Sequence, residues 1–585
     1  PAGDMKVPAT ILDLLQTRID RLEEEPKELL QIAAVIGQRF LPELACRVSG
    51  LGDAFDRYLC ELEKLGLIFR EQIEEQLVYR FKHALLQDAV YNSLLQERRE
   101  ELHRAVAETM EQVYADRLSE WANTIAYHWG STKNTRKTVQ YLVMAGEKSF
   151  WVCAMDEAHA RFRKAVDLIE AEPGCVDDLF LADVLLQWGL VFAYRADFNG
   201  VISLLEGYLP RIEALGDTKR LSLILSWLAV SHVSSGQGDK GKPLAERALT
   251  LAEESGDPLC IGHAARALAW LYAYWIPDGE QSDTMVERYY KQALECAERT
   301  NDIFLFREIT AIMVNHLLTR GRIAESRLYC SKLMELGHRF QDNRFLSQAQ
   351  WLFGFINFSE ARYEEALENA EQALQLSPDR LDDLCALAVK GGALARMGKV
   401  HEGLEILQKV RDEIVANGFL LLLGPVDIYF GATLVLAGYL KKGARHLNEA
   451  IIFWTSLGNY TWPVYAHRSL ADIYRWVALG KMKLPIGISL KNLWFLARTF
   501  PVANRKACRH YQEVVRSARE WHMPAHLARG LYGLGVLSIK GKEFGKARSY
   551  LDEALQVAEE EGLYLAEKIR KRLDSLEKIE RRESL

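Results

Sequence analysis

A chain of 585 residues is too long for one hydrophobic core, so several domains or a repeat array is expected. Hydrophobic residues make up 49% and charged residues 26%, a composition that excludes a disordered chain. The net charge of -7 gives no reason to expect nucleic acid as a partner, and the apolar run at 419–423 is far shorter than a bilayer span.

No signal peptide opens the chain, and Pro1 in place of an initiator Met predicts a fragment of a longer polypeptide. Nine cysteines are scattered singly from Cys46 to Cys508 without a C-x-x-C pair. That usage fits reduced core thiols in a cytoplasmic protein. Thirteen tryptophans are read as fillers between helices.

In chain order, residues 8 to 95 do not repeat. Ile11 through Leu22 reads as an amphipathic helix, and helices follow at 28–36, 42–48 and 54–65. Leu67-Ile68-Phe69-Arg70 and Leu77-Val78-Tyr79-Arg80-Phe81 alternate like two strands of a hairpin, and His83 to Leu95 is helical again. Three helices followed by a two-stranded wing is a winged-helix arrangement. Its charge is wrong for DNA. Asp53, Asp56, Glu61 and Glu63 outnumber Arg57 and Lys64, and Glu71, Glu74 and Glu75 outnumber Arg70 and Arg80. Residues 96–135 read as connecting helices.

From Arg136 onward one signature recurs: a small residue, another twelve later, a third seven after that. Gly146, Ala158 and Ala165 fit it, as do Ala229, Gly241 and Ala248, then Gly354, Ala366 and Ala373. Gly431, Gly443 and Ala450 follow, then Gly535, Ala547 and Ala554; Gly391 and Gly403 keep the first spacing. Gly189 with Val201 and Ile312 with Ala324 are degenerate copies. Such residues are needed where a second helix crosses the first and where the next repeat leans on it, because a large side chain would hold the helices apart. The spacings resemble the tetratricopeptide pattern. Insertions are read at Ile276-Pro277-Asp278-Gly279 and at 480–503. About ten repeats to Gly562, with residues 563–585 as a capping helix, predict an all-α, right-handed solenoid with a long concave face, preceded by the winged-helix module.

No catalytic, cofactor or metal site is expected. Gly236-Gln237-Gly238-Asp239-Lys240-Gly241-Lys242 satisfies G-x-x-x-x-G-K literally, but a helix precedes it and Pro243 stands where Ser or Thr is required. His522 and His526 have the i, i+4 spacing of zinc ligands, but Pro524 lies between them.

Val7-Pro8-Ala9-Thr10-Ile11, Arg18-Ile19-Asp20-Arg21-Leu22 and Leu30-Gln31-Ile32-Ala33-Ala34-Val35-Ile36-Gly37 resemble the stretch behind the nucleotide-binding core of STAND-class signalling ATPases. Within it, Leu30 to Gly37 and the string from Phe81 to Tyr91, with Phe81, His83, Leu86 and Tyr91 as its motif residues, are similar to that class's winged-helix segment, and Glu101-Leu102-His103 and Ala145-Gly146-Glu147-Lys148 also fit. Lys483-Leu484-Pro485, Lys491-Asn492-Leu493-Trp494-Phe495 and Pro501-Val502-Ala503 are similar to a segment of bacterial adenylate/guanylate cyclase–ATPase fusions. The resemblance implies ATP and Mg in a missing upstream part, contact of the front module with that ATPase, and repeats that take a protein or peptide on the concave face. The alternative it implies is the inducer-binding region of a STAND-type transcription activator. Neither membrane nor nucleic acid is expected as a partner.

Overall fold

The computed structural model describes residues 17–73, 76–275, 279–480 and 491–583. The strings at 7–11 and 483–485, the first half of the helix expected at 11–22 and the loop at 276–278 therefore lie outside the described residues. The chain forms two compact units, Pro1–Trp188 and Gly189–Leu585.

In the first unit, α1 (Glu24–Ile36), α2 (Pro42–Ser49) and α3 (Phe55–Lys64) surround a core that includes Leu29, Leu30, Ala45, Leu59 and Leu62. The hairpin β2 (Ile68–Ile73) and β3 (Gln76–Phe81) pairs antiparallel with Ile68 opposite Phe81. A strand absent from the sequence reading, β1 (Arg39–Phe40), adds to the other edge of β3, so the order is β1-β3-β2. Two residues are too few to show a period of two, which is why no alternation betrays it. Helix α1 starts a turn earlier than expected, because Pro26 is well placed in a first helical turn. Then come α4 (Ala84–Ser93), α5 (Gln96–Val113), α6 (Leu118–Gly130), α7 (Thr135–Trp151) and α8 (Met155–Ala171).

Helix α9 (Asp178–Tyr194) leads into the second unit, which is an all-α array of antiparallel helix pairs. The pairs are α11 (Thr218–Ser234) with α12 (Gly238–Ser255), α13 (Pro258–Tyr274) with α14 (Gly279–Thr300), and α15 (Ile303–Arg320) with α16 (Ile323–Phe340). They continue as α17 (Asn343–Ser359) with α18 (Tyr363–Leu376), α19 (Arg380–Arg396) with α20 (Val400–Ala416), and α21 (Leu420–Leu436) with α22 (Leu440–Ser456). Before them α10 (Phe198–Glu213) follows α9. After them α23 (Thr461–Ala478) packs on α25 (Ala503–Glu520), with the short α24 (Leu493–Thr499) between them in sequence. Finally α26 (Pro524–Lys540) pairs with α27 (Phe544–Glu560), and α28 (Leu565–Glu583) follows. Helix α14 is 22 residues long where α11, α13 and α17 have 17, so part of the insertion read near residue 276 becomes extra helix.

The small residues sit at the crossings. Ala229, Ala248, Ala366, Ala373, Ala450, Ala547 and Ala554 are all buried, as are Ala158 and Ala165 in the first unit. A Cβ on Gly443 would lie 2.6 Å from the Gly431 carbonyl oxygen, and one on Gly241 would lie 2.9 Å from that of Ala229. One on Gly403 would overlap the Gly391 carbonyl. Helix backbones touch directly at these points. On the other side, Leu407 fills the space at Gly391, Leu447 that at Gly431, Leu551 that at Gly535 and Phe162 that at Gly146, while Val389 lies against Gly354. Aspartate caps recur at the starts of first helices: Asp217, Asp257, Asp302, Asp342 and Asp379 each accept a backbone N–H two or three residues on.

The array also folds back on itself. The Asn199 amide N–H donates to the Asn417 carbonyl at 3.2 Å, and Phe198 meets Phe419 with ring centroids 5.0 Å apart. Asn459 Nδ2 donates to the Tyr274 carbonyl at 2.8 Å, Arg320 Nη1 to that of Trp521 at 2.9 Å, and Arg529 Nη2 to that of Ser359 at 2.6 Å. These partners are 185, 201 and 170 residues apart in sequence.

Candidate functional site

The first helix of each pair, α11 through α23, turns one face toward the middle of the second unit. Because the winding brings distant repeats into contact, these faces enclose a bore. It holds about 1400 Å³ of space not filled by atoms, the part open to solvent included. Aromatic rings from several helices line it: Trp227, Trp270, Phe304, Trp351, Tyr429 and Trp462. Four of the thirteen tryptophans thus form cavity wall and are more than gap fillers.

One level of this bore is charged. Arg266 is fully buried in the middle of α13, with its guanidinium 4.5 Å from the Trp227 ring centroid and 5.4 Å from that of Phe304. Its Nη1 lies 3.6 Å from Glu308 Oε2, and burial holds its pKa below the usual arginine value. Arg307 Nη2 donates to Tyr194 Oη at 2.6 Å and to Glu308 Oε1 at 2.9 Å. Arg344 lies over the Tyr194 ring at 5.3 Å. At the start of α19, Asp379 Oδ1 caps the helix through the Asp382 N–H, and Asp382 Oδ1 accepts from Trp351 Nε1 at 2.9 Å. Burial, then the charge of Asp382, pushes Asp379 up to about 8; burial raises Asp382 to about 6. The two buried carboxyls therefore hold a proton between them to higher pH than free carboxyls do.

These polar side chains were invisible to the repeat reading, which follows small residues. The signal is present in retrospect. Arg266 interrupts Ala264-Ala265-Arg266-Ala267-Leu268-Ala269, a string otherwise apolar on every face. A charge in such a place is either paired or waiting for a partner.

The other singled-out residues fall elsewhere. Gly236 takes φ 74° in a turn between helices, Gly241 packs on Ala229, and Lys242 is about half exposed near Glu246. The loop is flanked by helices, so the strand a phosphate cradle needs is missing there. His522 is exposed at the turn before α26, whereas His526 is buried within it. Among the described residues no group of three or more His, Cys, Asp or Glu gathers as metal ligands do, and no helix is long and apolar enough to cross a membrane.

In the first unit, Phe81 and Leu86 are buried, and His83 is exposed at the N-cap position of α4 without a side-chain cap bond. Tyr91 Oη lies 3.0 Å from His103 Nε2, and His103 Nδ1 lies 2.8 Å from His128 Nδ1. Two strings of the family resemblance therefore meet in one buried network. Burial lowers His103 to about 4 and His128 to about 3, so both rings are neutral and one nitrogen of the close pair donates while the other accepts. Around the hairpin, Arg70 pairs with Glu63 at 2.8 Å, and Arg39 with Glu71 at 3.2 Å. These bases are spent on carboxylates of their own module.

No family model matches the chain. The uncharacterized protein R02095 of Rhizobium meliloti (strain 1021) is 30% identical over 163 residues, which cover 26% of this chain and 15% of that protein. The chain thus spans a small part of the length of the curated relative it matches. Among solved structures, a Signal Transduction ATPase with Numerous Domains (STAND) protein with a tetratricopeptide repeat sensor, from Pyrococcus horikoshii, aligns over 97% of this chain and 67% of its own, at 15% identity and TM-score 0.25. Yeast Tom70 aligns over 76% and 96%, at 12% identity and TM-score 0.30. Human IFIT1 with a capped RNA aligns over 72% and 90%, at 13% identity and TM-score 0.31. Scores in this range say nothing about what the bore of this chain holds.

Proposed function

We propose that this chain is the sensor and regulatory region of a multidomain bacterial signalling ATPase, and that its input is a small molecule held in the bore of the second unit. The observation that carries the ligand reading is the closure of the inner face. An open trough for a peptide needs free edges along the array; here Asn199, Asn459, Arg320 and Arg529 tie helices of distant repeats together around the cavity. Enclosed, mostly apolar cavities with a few converging polar groups are the usual form of small-molecule sites. For the inner face we favour the inducer-type alternative over the protein or peptide groove expected from the repeat pattern, and the outer surface of the array stays available to a protein partner.

The rest of the proposal rests on sequence resemblance. Residues up to 95 form a winged-helix module, which the helix order and β1-β3-β2 sheet support. Residues 96–135 connect it to repeats from 136 to 562, and 563–585 cap them. The front module contacts an upstream ATPase core that binds ATP and Mg, and a nucleotide cyclase is the proposed output. This chain itself supplies no catalytic, cofactor or metal residue, and acts in the cytoplasm.

The test has two parts. Ala311 is a buried small residue on the bore wall, so Ala311→Phe puts a ring into the cavity and narrows it. Small molecules that shift the melting temperature of this chain should lose that effect in A311F, and peptide libraries should yield no binder that A311F blocks. In the full-length parent, deleting 136–585 should change basal nucleotide turnover and remove the response to such a molecule. Peptides that bind this chain and are displaced by A311F would replace the small-molecule reading; unchanged turnover and response after the deletion would reduce the repeats to a tether.

A further inference from the structure

The charged level of the bore is chemically incomplete. A guanidinium offers five N–H donors and keeps its charge. Among the described residues none of the three nitrogens of Arg266 has a hydrogen-bond partner, and neither does Nε of Arg307. Among the described residues, Glu308 is the one carboxylate in ion-pair reach of both, 3.6 Å from Arg266 and 2.9 Å from Arg307. One negative charge is therefore shared between two buried positive ones. Arg344 adds a third cation beside Tyr194. Asp302, Asp379 and Asp382 lie nearby, but among the described residues none of them pairs directly with the guanidinium of Arg266 or Arg307. Buried charge without a partner is costly, and a stacked ring compensates only part of it.

What surrounds this cationic level is flat and apolar. Trp227 and Phe304 lie against the guanidinium of Arg266, and Trp270, Tyr274, Trp351 and Phe355 continue the wall. Rings presented from α11, α13, α15 and α17 form a wall against which another planar ring can pack, offset or edge-to-face.

We propose that the bore binds a small planar aromatic anion, its carboxylate or phosphate head between Arg266 and Arg307 and its ring among the wall aromatics. The proposal rests on the bore being a ligand site and names the chemistry of its occupant. Glu308, about one-sixth exposed, stands where the head group of the anion would sit. The incoming anion takes over its contacts with the two guanidiniums and displaces Trp227 or Phe304 from the covered face of Arg266.

The test uses this whole chain and two probes of the same shape, 2-naphthoate (anionic) and 2-naphthol (neutral at pH 7), with calorimetry and quenching of tryptophan fluorescence as readouts. Naphthoate should bind about tenfold or more tighter than naphthol. Arg266→Met should remove that advantage and leave naphthol binding unchanged. Glu308→Gln, which keeps the shape of the side chain and whose folding is checked by circular dichroism, should tighten naphthoate severalfold. Equal binding of both probes, blocked in A311F, would overturn the anion assignment while leaving the bore as a site. Weaker or unchanged naphthoate binding in E308Q would overturn it as well. No binding of either probe would overturn both readings, and binding undiminished in A311F would place the probes outside the bore.

Discussion

Two glycine-to-alanine substitutions of identical chemistry should have opposite signs. Gly443 lies in the first turn of α22, where an added Cβ would stand 2.6 Å from the Gly431 carbonyl oxygen, 2.6 Å from Val435 Cγ2 and 3.1 Å from the Val435 nitrogen. The oxygen and nitrogen belong to helix backbone and cannot rotate away, so α21 and α22 must separate. Overpacking of this kind costs about 1–3 kcal/mol. Alanine returns up to about 1 kcal/mol through helix propensity. The net expectation for Gly443→Ala is a loss of about 1–2 kcal/mol by these two principles. Gly207 lies in the interior of α10 with nothing within 4 Å of its added Cβ. Only the propensity gain applies there, and Gly207→Ala should stabilise by about 0.5–1 kcal/mol. Urea denaturation followed by circular dichroism and tryptophan fluorescence reads both as shifts of the midpoint at fixed slope. Because stability in repeat arrays is close to a sum of local terms, the sign should survive even if unfolding has several steps. A G443A midpoint at or above that of wild type would refute the claim that backbone contact sets the helix spacing.

Ala366→Leu, at another fully buried crossing, should cost about 1–3 kcal/mol in the same assay, and an unchanged midpoint would mean the repeat register is misassigned. Asp379 is raised to about 8, so the fold keeps a proton that the unfolded chain releases near 4; its stabilising contribution is full below about 4 and is lost as pH rises toward 8. Asp379→Asn, which keeps a capping oxygen, should therefore gain on wild type in melting temperature between pH 5 and pH 8.5, and a constant difference would contradict this. His103 and His128 are depressed, so protonation of the unfolded chain should drain stability from the first unit as pH falls below about 6.5; His128→Phe should flatten that loss, seen by thermal melts from pH 7.5 to 4.5. Lys242→Ala should leave this chain without nucleotide turnover, as in wild type, and turnover that disappears with Lys242 would restore the phosphate-loop reading.

Everything legible along the chain is local. The spacing from Gly431 to Gly443 to Ala450 and from Ala229 to Gly241 to Ala248 marks helix pairs because contact between two adjacent helices involves residues a dozen apart. The hairpin from Ile68 to Phe81 was legible by alternation, whereas Arg39 and Phe40 form a strand only because Arg80 and Tyr79 lie beside them. The bore belongs to the tertiary structure alone. It exists because a small rotation at each pair accumulates until Asn199 reaches Asn417 and Arg529 reaches Ser359, and no local pattern encodes contacts across such spans. The same winding decides that Arg266, Arg307 and Asp382, from three different helices, share one buried level: Arg266 is a lone charge on an apolar helix, Arg307-Glu308 and Asp382-Asp383 look like ordinary charged steps in the sequence, and only closure of the array makes them neighbours.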